Sequence, residues 1–321
     1  LNSDILTAGS LPPGFLFHTR CVHMPFLGEI AALATSFCWA MSAVGFSNAT
    51  RVLGSQVTNR LRVVLALIAL ILINTLLYAK PIPYDAGLDR WGWLTLSGVI
   101  GLALGDAFLF SSYRHIGPRL GLLLLSLAPV FSAVIAWGLF GETLTGMQLL
   151  GIAVTLGGIS WVVLVRGEEN GPRTHDWRKG VLFGILAALG QAGGLVLSKQ
   201  GMGGGFSPFA ATLIRMIAAV ASLWMVALFQ GQAAKTVQTV AANPKGLRWA
   251  IFGSFFGPVF GVSASLLAVQ HTAVGVASTI MALPPVVMLP ISYFFYKEKL
   301  NWQSVLGTLV AIGGVALLFL R

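Results

Sequence analysis

The stretch that decides the fold class is TNRLRVVLALIALILINTLLY at residues 58–78, in which apolar side chains follow one another almost without interruption. A helix that crosses a bilayer needs about 20 mostly apolar residues. Similar runs recur from residue 26 to residue 320. Apolar residues make up 56% of the sequence and charged residues 9%, whereas soluble proteins carry about 25% charged residues. The chain is therefore predicted to be an all-α polytopic membrane protein.

Apolar runs of spanning length predict ten transmembrane helices. Helices fit these runs better than barrel strands do, because strands in a membrane barrel alternate apolar and polar residues. Short connections with turn residues, such as Gly117-Pro118 and Asn243-Pro244, separate the runs. The predicted spans are 26–47, 58–78, 91–112, 117–140, 145–166, 179–199, 207–229, 247–270, 274–296 and 301–320.

The two halves of the chain match when one is shifted along the other by 156 positions. A slightly shorter shift of 153 places Arg62 on Arg215. Each half thus contains five predicted spans. The pairs that match at 156 include Trp93 and Trp249, Gly101 and Gly257, His115 and His271, Pro129 and Pro285, and Glu142 and Glu298.

Five spans are an odd number, so the second half must begin on the opposite side of the membrane. We therefore predict two inverted five-helix repeats, 26–166 and 179–321, joined by a polar linker at 167–178. Residues 1–25 are expected to be an N-terminal tail, either disordered or the product of a misassigned start. Inverted repeats are typical of transporters that bind substrate near the bilayer midplane. Gene duplication in a structural membrane protein is the alternative interpretation.

Two further motifs carry a family resemblance. The segment Gly141 to Thr145, followed by Gly151 and Gly157-Gly158, resembles the motif after the fourth helix of the drug/metabolite transporter superfamily, EamA type. Lys297 to Leu300 is similar to its second copy. The resemblance implies two five-helix bundles around a central cavity, and export or exchange of small metabolites such as amino acids. It also implies that the first and sixth spans line the cavity.

Asp106 is the most informative polar residue, because a carboxylate within a span is costly and normally faces a cavity or a partner. Its counterpart in the second half is Val262. At helical spacing Asp106, Phe110 and Tyr113 share one face, which could bind an amine-bearing substrate or take up a proton. The alternative is an acid that serves helix packing and is satisfied by neighbouring serine or backbone groups.

Arg62 and Arg215 lie inside their spans at matched places. They are predicted either to hold a substrate carboxylate or to extend to the lipid headgroups without a role in transport. Glu142 and Glu298 precede helix starts, where a capping role is expected; Thr145 with Gln148 predicts a capping box.

The remaining candidates are small, aromatic or helix-bending residues. Trp39, Ser42, Gln191 and Ser263 are predicted to line the cavity. Close helix packing is the alternative, because the small residues Ser42, Gly193, Gly194 and Ser198 lie nearby. Three prolines inside spans are predicted to bend helices and expose carbonyl groups to the cavity, or to serve gating. They are Pro129, Pro284 and Pro285.

The sequence carries no phosphate-binding loop, no HExxH motif and no Gly-x-Ser-x-Gly motif, so transport without ATP is expected, with no enzymatic activity, no cofactor and no metal. The expected partners are a small-molecule substrate and the lipid bilayer, with no nucleic acid, and the protein is expected to be a monomer or homodimer. The expected location is the cytoplasmic membrane of a bacterium or archaeon. A non-transporting membrane scaffold and, more remotely, an intramembrane enzyme that uses Asp106 with Asp85 are the rival functions.

The orientation in the membrane is left open by the sequence. Lys and Arg are more frequent in the connections opposite the termini, which favours termini outside the cytoplasm. The family resemblance implies the reverse.

Overall fold

The computed structural model describes residues 26–125, 127–141, 143–167, 175–284, 286–288, 290–291 and 302–319, and within them every regular element is a helix. Six of the described helices are long and apolar enough to cross a membrane. Three shorter apolar helices accompany them: Ala128–Phe140, Gly146–Gly158 and Val274–Met288. The chain is an all-helical integral membrane protein. The count of ten spans and the inverted relation of the halves stay predictions.

The helices of the first half follow the predicted apolar runs, with one long helix built from three consecutive segments. They are α1 (Leu27–Leu53), α2 (Ser55–Tyr78), α3 (Leu88–Ser97), a π-helical segment π1 (Gly98–Gly105), α4 (Asp106–Leu125), α5 (Ala128–Phe140) and α6 (Gly146–Gly167).

Among the described residues, the second half has the same order of elements and one additional short helix, α9 (Ala233–Ala242). Its elements are α7 (His175–Gly201), α8 (Pro208–Phe229), α9 (Ala233–Ala242), α10 (Pro244–Ser254), a second π-helical segment π2 (Phe255–Gly261), α11 (Val262–His271), α12 (Val274–Met281) and α13 (Trp302–Phe319). Helix α9 occupies the predicted connection between spans seven and eight.

The predicted boundary between spans three and four was wrong. Gly117 and Pro118 lie within α4, which continues to Leu125, and the next helix begins at Ala128. A proline inside a helix removes one backbone hydrogen bond. Membrane helices tolerate this loss when neighbouring helices protect the freed groups, and α4 packs along α7.

Both halves contain a π-helical segment, which the sequence analysis did not predict. A shift of 156 places π1 on residues 254–261, so the two segments occupy matched positions. Pro258 in π2 cannot donate a backbone hydrogen bond, so a regular α-helical ladder is already interrupted there. Wide π turns often occur at functional sites. Asp106 directly follows π1, and Val262 directly follows π2.

Each π segment crosses a helix of the other half at small residues. A Cβ added to Gly194 of α7 would lie 2.7 Å from the Cα atom of Gly101 in π1. In the same way, a Cβ on Gly257 in π2 would overlap the side chain of Ser42 in α1. Small residues allow such close approach. Matched positions therefore make corresponding contacts, and these contacts hold the two halves against each other.

Helices α6 and α13 form a separate tightly packed pair. A Cβ on Gly158 would lie 2.9 Å from the Cα atom of Ala311, and one on Gly314 would lie 2.9 Å from the Cα atom of Thr155. No described residue of this pair lines the cavity considered next. The described residues of this pair thus pack in the apolar core and not at the cavity wall.

Candidate functional site

A cavity of about 120 Å³ is lined by side chains from both halves of the chain. Residues of the predicted spans one, three, four, six, eight and nine contribute to the lining, and α2 and α8 add Arg62 and Arg215. Most of the lining is apolar. The lining residues with polar side-chain groups are Trp39, Ser42, Arg62, Asp106, Tyr113, Ser132, Gln191, Arg215, Ser265 and Ser278.

Asp106 lies buried at the cavity wall, directly after π1. One carboxylate oxygen forms an ion pair with the guanidinium group of Arg62. The other accepts a hydrogen bond from Nε2 of Gln191, with an N–O distance of 2.7 Å. The sequence analysis named serine or backbone groups as the packing partners of this acid. The structure instead places a charged partner from α2 and an amide from α7 against it.

Arg62 makes contacts through its Nε atom, one terminal nitrogen and the face of its guanidinium group. Besides the ion pair, its Nε donates to Oδ1 of Asn59 at 2.8 Å and a terminal nitrogen donates to the carbonyl oxygen of Leu102 at 3.0 Å. Its Cζ atom lies 5.3 Å from the ring centre of Phe110 and 5.8 Å from that of Phe46. Aromatic faces attract cations at such distances. Arg62 therefore points into the protein and not toward lipid headgroups.

Arg215 also lines the cavity and is only 3% exposed. Its Nε atom is buried without a hydrogen-bond partner among the described residues. Neither of the two ion pairs found in the described part of the chain involves it. The two arginines therefore occupy matched positions and differ in how fully their donors are used.

A sequence profile of the EamA-like transporter family matches residues 26–164 and 178–320. The chain belongs to this family. The assignment agrees with the motif resemblance and makes the protein a membrane transporter.

Relatives of this EamA-like transporter carry similarly general descriptions. An uncharacterized transporter of Haemophilus influenzae is 26% identical over 180 residues, which cover 54% of this chain and only 58% of that protein. The uncharacterized transporter sll0355 of Synechocystis is 25% identical over 248 residues, 72% of each chain. A solved crystal structure with 14% identity and a TM-score of 0.67 covers 91% of this chain and 97% of that one, which shows a shared fold.

The other predicted cavity residues divide into two groups. Trp39, Ser42 and Tyr113 line the cavity of the EamA-like transporter together with Gln191 and Phe110. The ring of Phe110 lies edge-on to those of Tyr113 and Phe46, with centroids 5.9 Å apart in both pairs. The face predicted for Asp106, Phe110 and Tyr113 thus does border one space. Ser263 is buried outside the lining, where its hydroxyl donates to Thr212 at 3.3 Å.

Pro129 does not interrupt a span as predicted. Helix α5 begins at Ala128, so Pro129 lies in the first turn, where backbone N–H groups have no partner within the helix. Its carbonyl oxygen accepts a hydrogen bond from Ser132. Pro284 lines the cavity just after the end of α12, whereas Pro285 lies outside the described residues.

Glu142 and Glu298 also lie outside the described residues. The capping box predicted beside Glu142 is confirmed. The backbone N–H of Thr145 donates to Oε1 of Gln148 at 3.0 Å, and the N–H of Gln148 donates to Oγ1 of Thr145 at 3.3 Å.

Sequence reasoning missed one further contact at the cavity. The hydroxyl groups of Ser132 on α5 and Ser278 on α12 lie 2.7 Å apart, so they share a hydrogen bond that joins the two halves. Serine is common in membrane helices and usually bonds to its own helix, so neither position gave a distinctive signal.

Proposed function

We propose that this EamA-like transporter is a secondary carrier that exports or exchanges small metabolites, such as amino acids, across a bacterial or archaeal cytoplasmic membrane. The observation that carries the proposal is the cavity shared by both halves, with Arg62, Asp106, Gln191 and Arg215 at its wall. Charged groups within membrane helices are costly and commonly mark the paths of substrates or ions.

Alternating access is the proposed mechanism, in which one repeat rocks against the other around the cavity. The crossings of π1 with α7 and of π2 with α1 offer close, smooth surfaces between the halves. The hydrogen bond between Ser132 and Ser278 joins the two halves, so a motion that separates α5 from α12 would break it. Under the proposed inverted repeat the two crossings are equivalent. The halves can therefore adopt two equivalent arrangements.

A membrane scaffold is the first rival. A scaffold is expected to bury its helices against one another without a polar-lined cavity. The cavity and the unsatisfied Nε of Arg215 favour transport over this alternative.

An intramembrane enzyme is the second rival. Catalysis by paired aspartates requires two carboxylates close enough to share a proton. Asp106 contacts a guanidinium and an amide, while Asp85 is exposed and pairs with Lys80. This arrangement favours transport over proteolysis.

The test is a counterflow measurement in liposomes that contain only this protein. Vesicles loaded with a mixture of unlabelled amino acids are diluted into labelled leucine, phenylalanine or glutamate without ATP. The proposal predicts transient accumulation of at least one label relative to vesicles without protein. Movement that strictly requires added ATP and a partner ATPase would contradict it.

A further inference from the structure

We propose that Arg215 binds the carboxylate of the substrate, and that the transporter selects small monocarboxylates with an apolar body. This inference rests on the proposed transport function and names the substrate class for its cavity. It assigns different tasks to the two arginines, which the repeat places at matched positions.

The hydrogen-bonding state of Arg215 is the first argument. A guanidinium group offers five N–H donors in a fixed plane. Burying such a charge without partners is costly, and the cost is relieved when a carboxylate accepts two parallel hydrogen bonds. Arg215 is buried at the cavity wall, and its Nε lacks a partner among the described residues. A carboxylate bound at the cavity wall would give this guanidinium group an anionic partner.

The charge of the cavity is the second argument. Arg62, Asp106 and Arg215 are the charged side chains among the described lining residues. The ion pair neutralises Arg62 and Asp106, and one positive charge remains. Electrostatic forces are stronger in a low-dielectric interior than in water. A ligand with one negative charge therefore balances the cavity, whereas an amine without a carboxylate adds to the excess.

The backbone around Arg215 fixes its position. Helix α8 packs against π1, and a Cβ on Gly98 would lie 2.9 Å from the Cα atom of Arg215. A Cβ on Gly101 would lie 3.3 Å from one terminal nitrogen of the guanidinium group. The two glycines thus leave room for both the helix and the side chain, and this pre-positioning reduces the entropy lost on binding.

The rest of the lining defines the body of the ligand. Leu102, Leu195 and Met281 contribute apolar surface to the same cavity. An apolar group gains free energy by leaving water for such surroundings. The cavity therefore suits a molecule with one carboxylate end and one branched or unbranched hydrocarbon end.

The test uses four probes of nearly equal shape: 4-methylpentanoate, leucine, leucinamide and 3-methylbutylamine. The first two carry a carboxylate, and the last two do not. Thermal unfolding of the purified full-length protein is followed in lipid nanodiscs with each probe, since a ligand that binds the native state raises Tm. We expect 4-methylpentanoate to raise Tm by about 2–5 °C, leucine to raise it by less because its ammonium group adds a positive charge, and the other two probes to leave it unchanged.

Three variants complete the experiment. Arg215→Gln is expected to lose the carboxylate shift. Arg215→Lys keeps the charge but lacks the planar group that donates two parallel hydrogen bonds. This variant is therefore expected to bind the carboxylates about tenfold more weakly. Arg90→Gln, the same type of change at a partly buried arginine outside the cavity lining, should behave like the wild type. If Arg215→Gln does not purify as a folded protein, Arg215→Lys supplies the comparison.

The proposal is overturned if no carboxylate shifts the wild type, if 3-methylbutylamine shifts it equally, or if both Arg215 variants retain the full shift. Liposome uptake separates this failure from failure of the proposed function. Uptake of 3-methylbutylamine that is equal in wild type and Arg215→Gln and exceeds uptake by protein-free vesicles would support transport and overturn the carboxylate site. Carboxylate binding lost in Arg215→Gln, without movement of any probe, would support the site and contradict transport.

Discussion

Arg62 in the first half and Arg215 in the second occupy matched positions, yet their surroundings differ in one decisive respect. Arg62 has the carboxylate of Asp106, two carbonyl acceptors and two aromatic rings around it. At the position matched to Asp106 the second half has Val262, and Arg215 is left with an unused donor. The repeated sequence thus carries the same cation twice, once in a buried ion pair and once outside the ion pairs found among the described residues.

The difference indicates that the two arginines have different functions, one in stability and one in binding. The pair in the first half stabilises the helix bundle, because each partner compensates the burial of the other. The arginine in the second half is expected to cost stability in the empty protein and to recover it when an anion binds. Functional groups are often left unsatisfied in this way at the expense of stability.

Arg62→Gln should produce the largest change in stability. It leaves Asp106 buried without its cation, a defect that typically costs about 3–5 kcal/mol. The free energy of unfolding can be measured by denaturant titration in mixed micelles. The double variant with Asp106→Asn removes the uncompensated charge as well and should recover most of the loss. A double variant no more stable than Arg62→Gln would mean that the ion pair is not the source of the effect.

Val262→Asp should copy the first half into the second. The new carboxylate faces the cavity and supplies Arg215 with an internal partner. The apparent affinity for 4-methylpentanoate is then expected to fall by about tenfold or more, since an internal anion competes with the ligand. Val262→Asn, which adds a similar volume without the charge, is the matched control. Equal losses in both variants would attribute the effect to crowding.

Asp106→Asn should make the first half resemble the second. Arg62 keeps its carbonyl acceptors but loses its anion, so the protein is expected to lose stability, as Arg62→Gln does, and to have a more positive cavity. A more positive cavity holds an anion longer, and counterflow of 4-methylpentanoate should slow by about tenfold. Helical circular dichroism and gel filtration check the fold. Wild-type counterflow would return Asp106 to a purely structural role.

Lys80→Gln should have the smallest effect. The Lys80 and Asp85 side chains lie 2.6 Å apart but are exposed, and exposed pairs contribute little. The hydrogen bond from Lys80 lowers the pKa of Asp85. The pair therefore stabilises the fold at pH values above the ordinary pKa of an aspartate. This contribution is lost as the pH falls through the lowered pKa. We expect Tm to change by less than about 1 °C at pH 7. A larger shift would show that this exposed pair contributes as much to stability as the buried pair does.

The sequence predicted the helices and the polar candidates because both depend on local composition. A charged residue within an apolar run is visible without a structure, so Asp106, Arg62 and Arg215 could all be singled out. The ion pair could not be predicted, since it depends on how α2 crosses α4. The two arginines were given one shared interpretation because they repeat. The change from Asp106 to Val262 was the signal that could have separated them.

The π segments and the course of α4 were also beyond the sequence analysis. Glycine and proline in apolar runs are compatible with a turn, a kink or a wide helical turn, and packing against other helices decides between them. Gly117-Pro118 was interpreted as a connection for that reason. The close crossing of Gly101 with Gly194 likewise depends on the position of the opposite half.

The most direct test of the different functions of the two arginines is the free energy of unfolding of Arg215→Gln without ligand. It is measured beside that of Arg62→Gln under the same conditions. Removing a buried charge that takes part in no ion pair found among the described residues should leave the stability unchanged or raise it, while Arg62→Gln loses about 3–5 kcal/mol. A loss in Arg215→Gln as large as that in Arg62→Gln would contradict the account, because Arg215 would then be as fully engaged in the empty protein as Arg62.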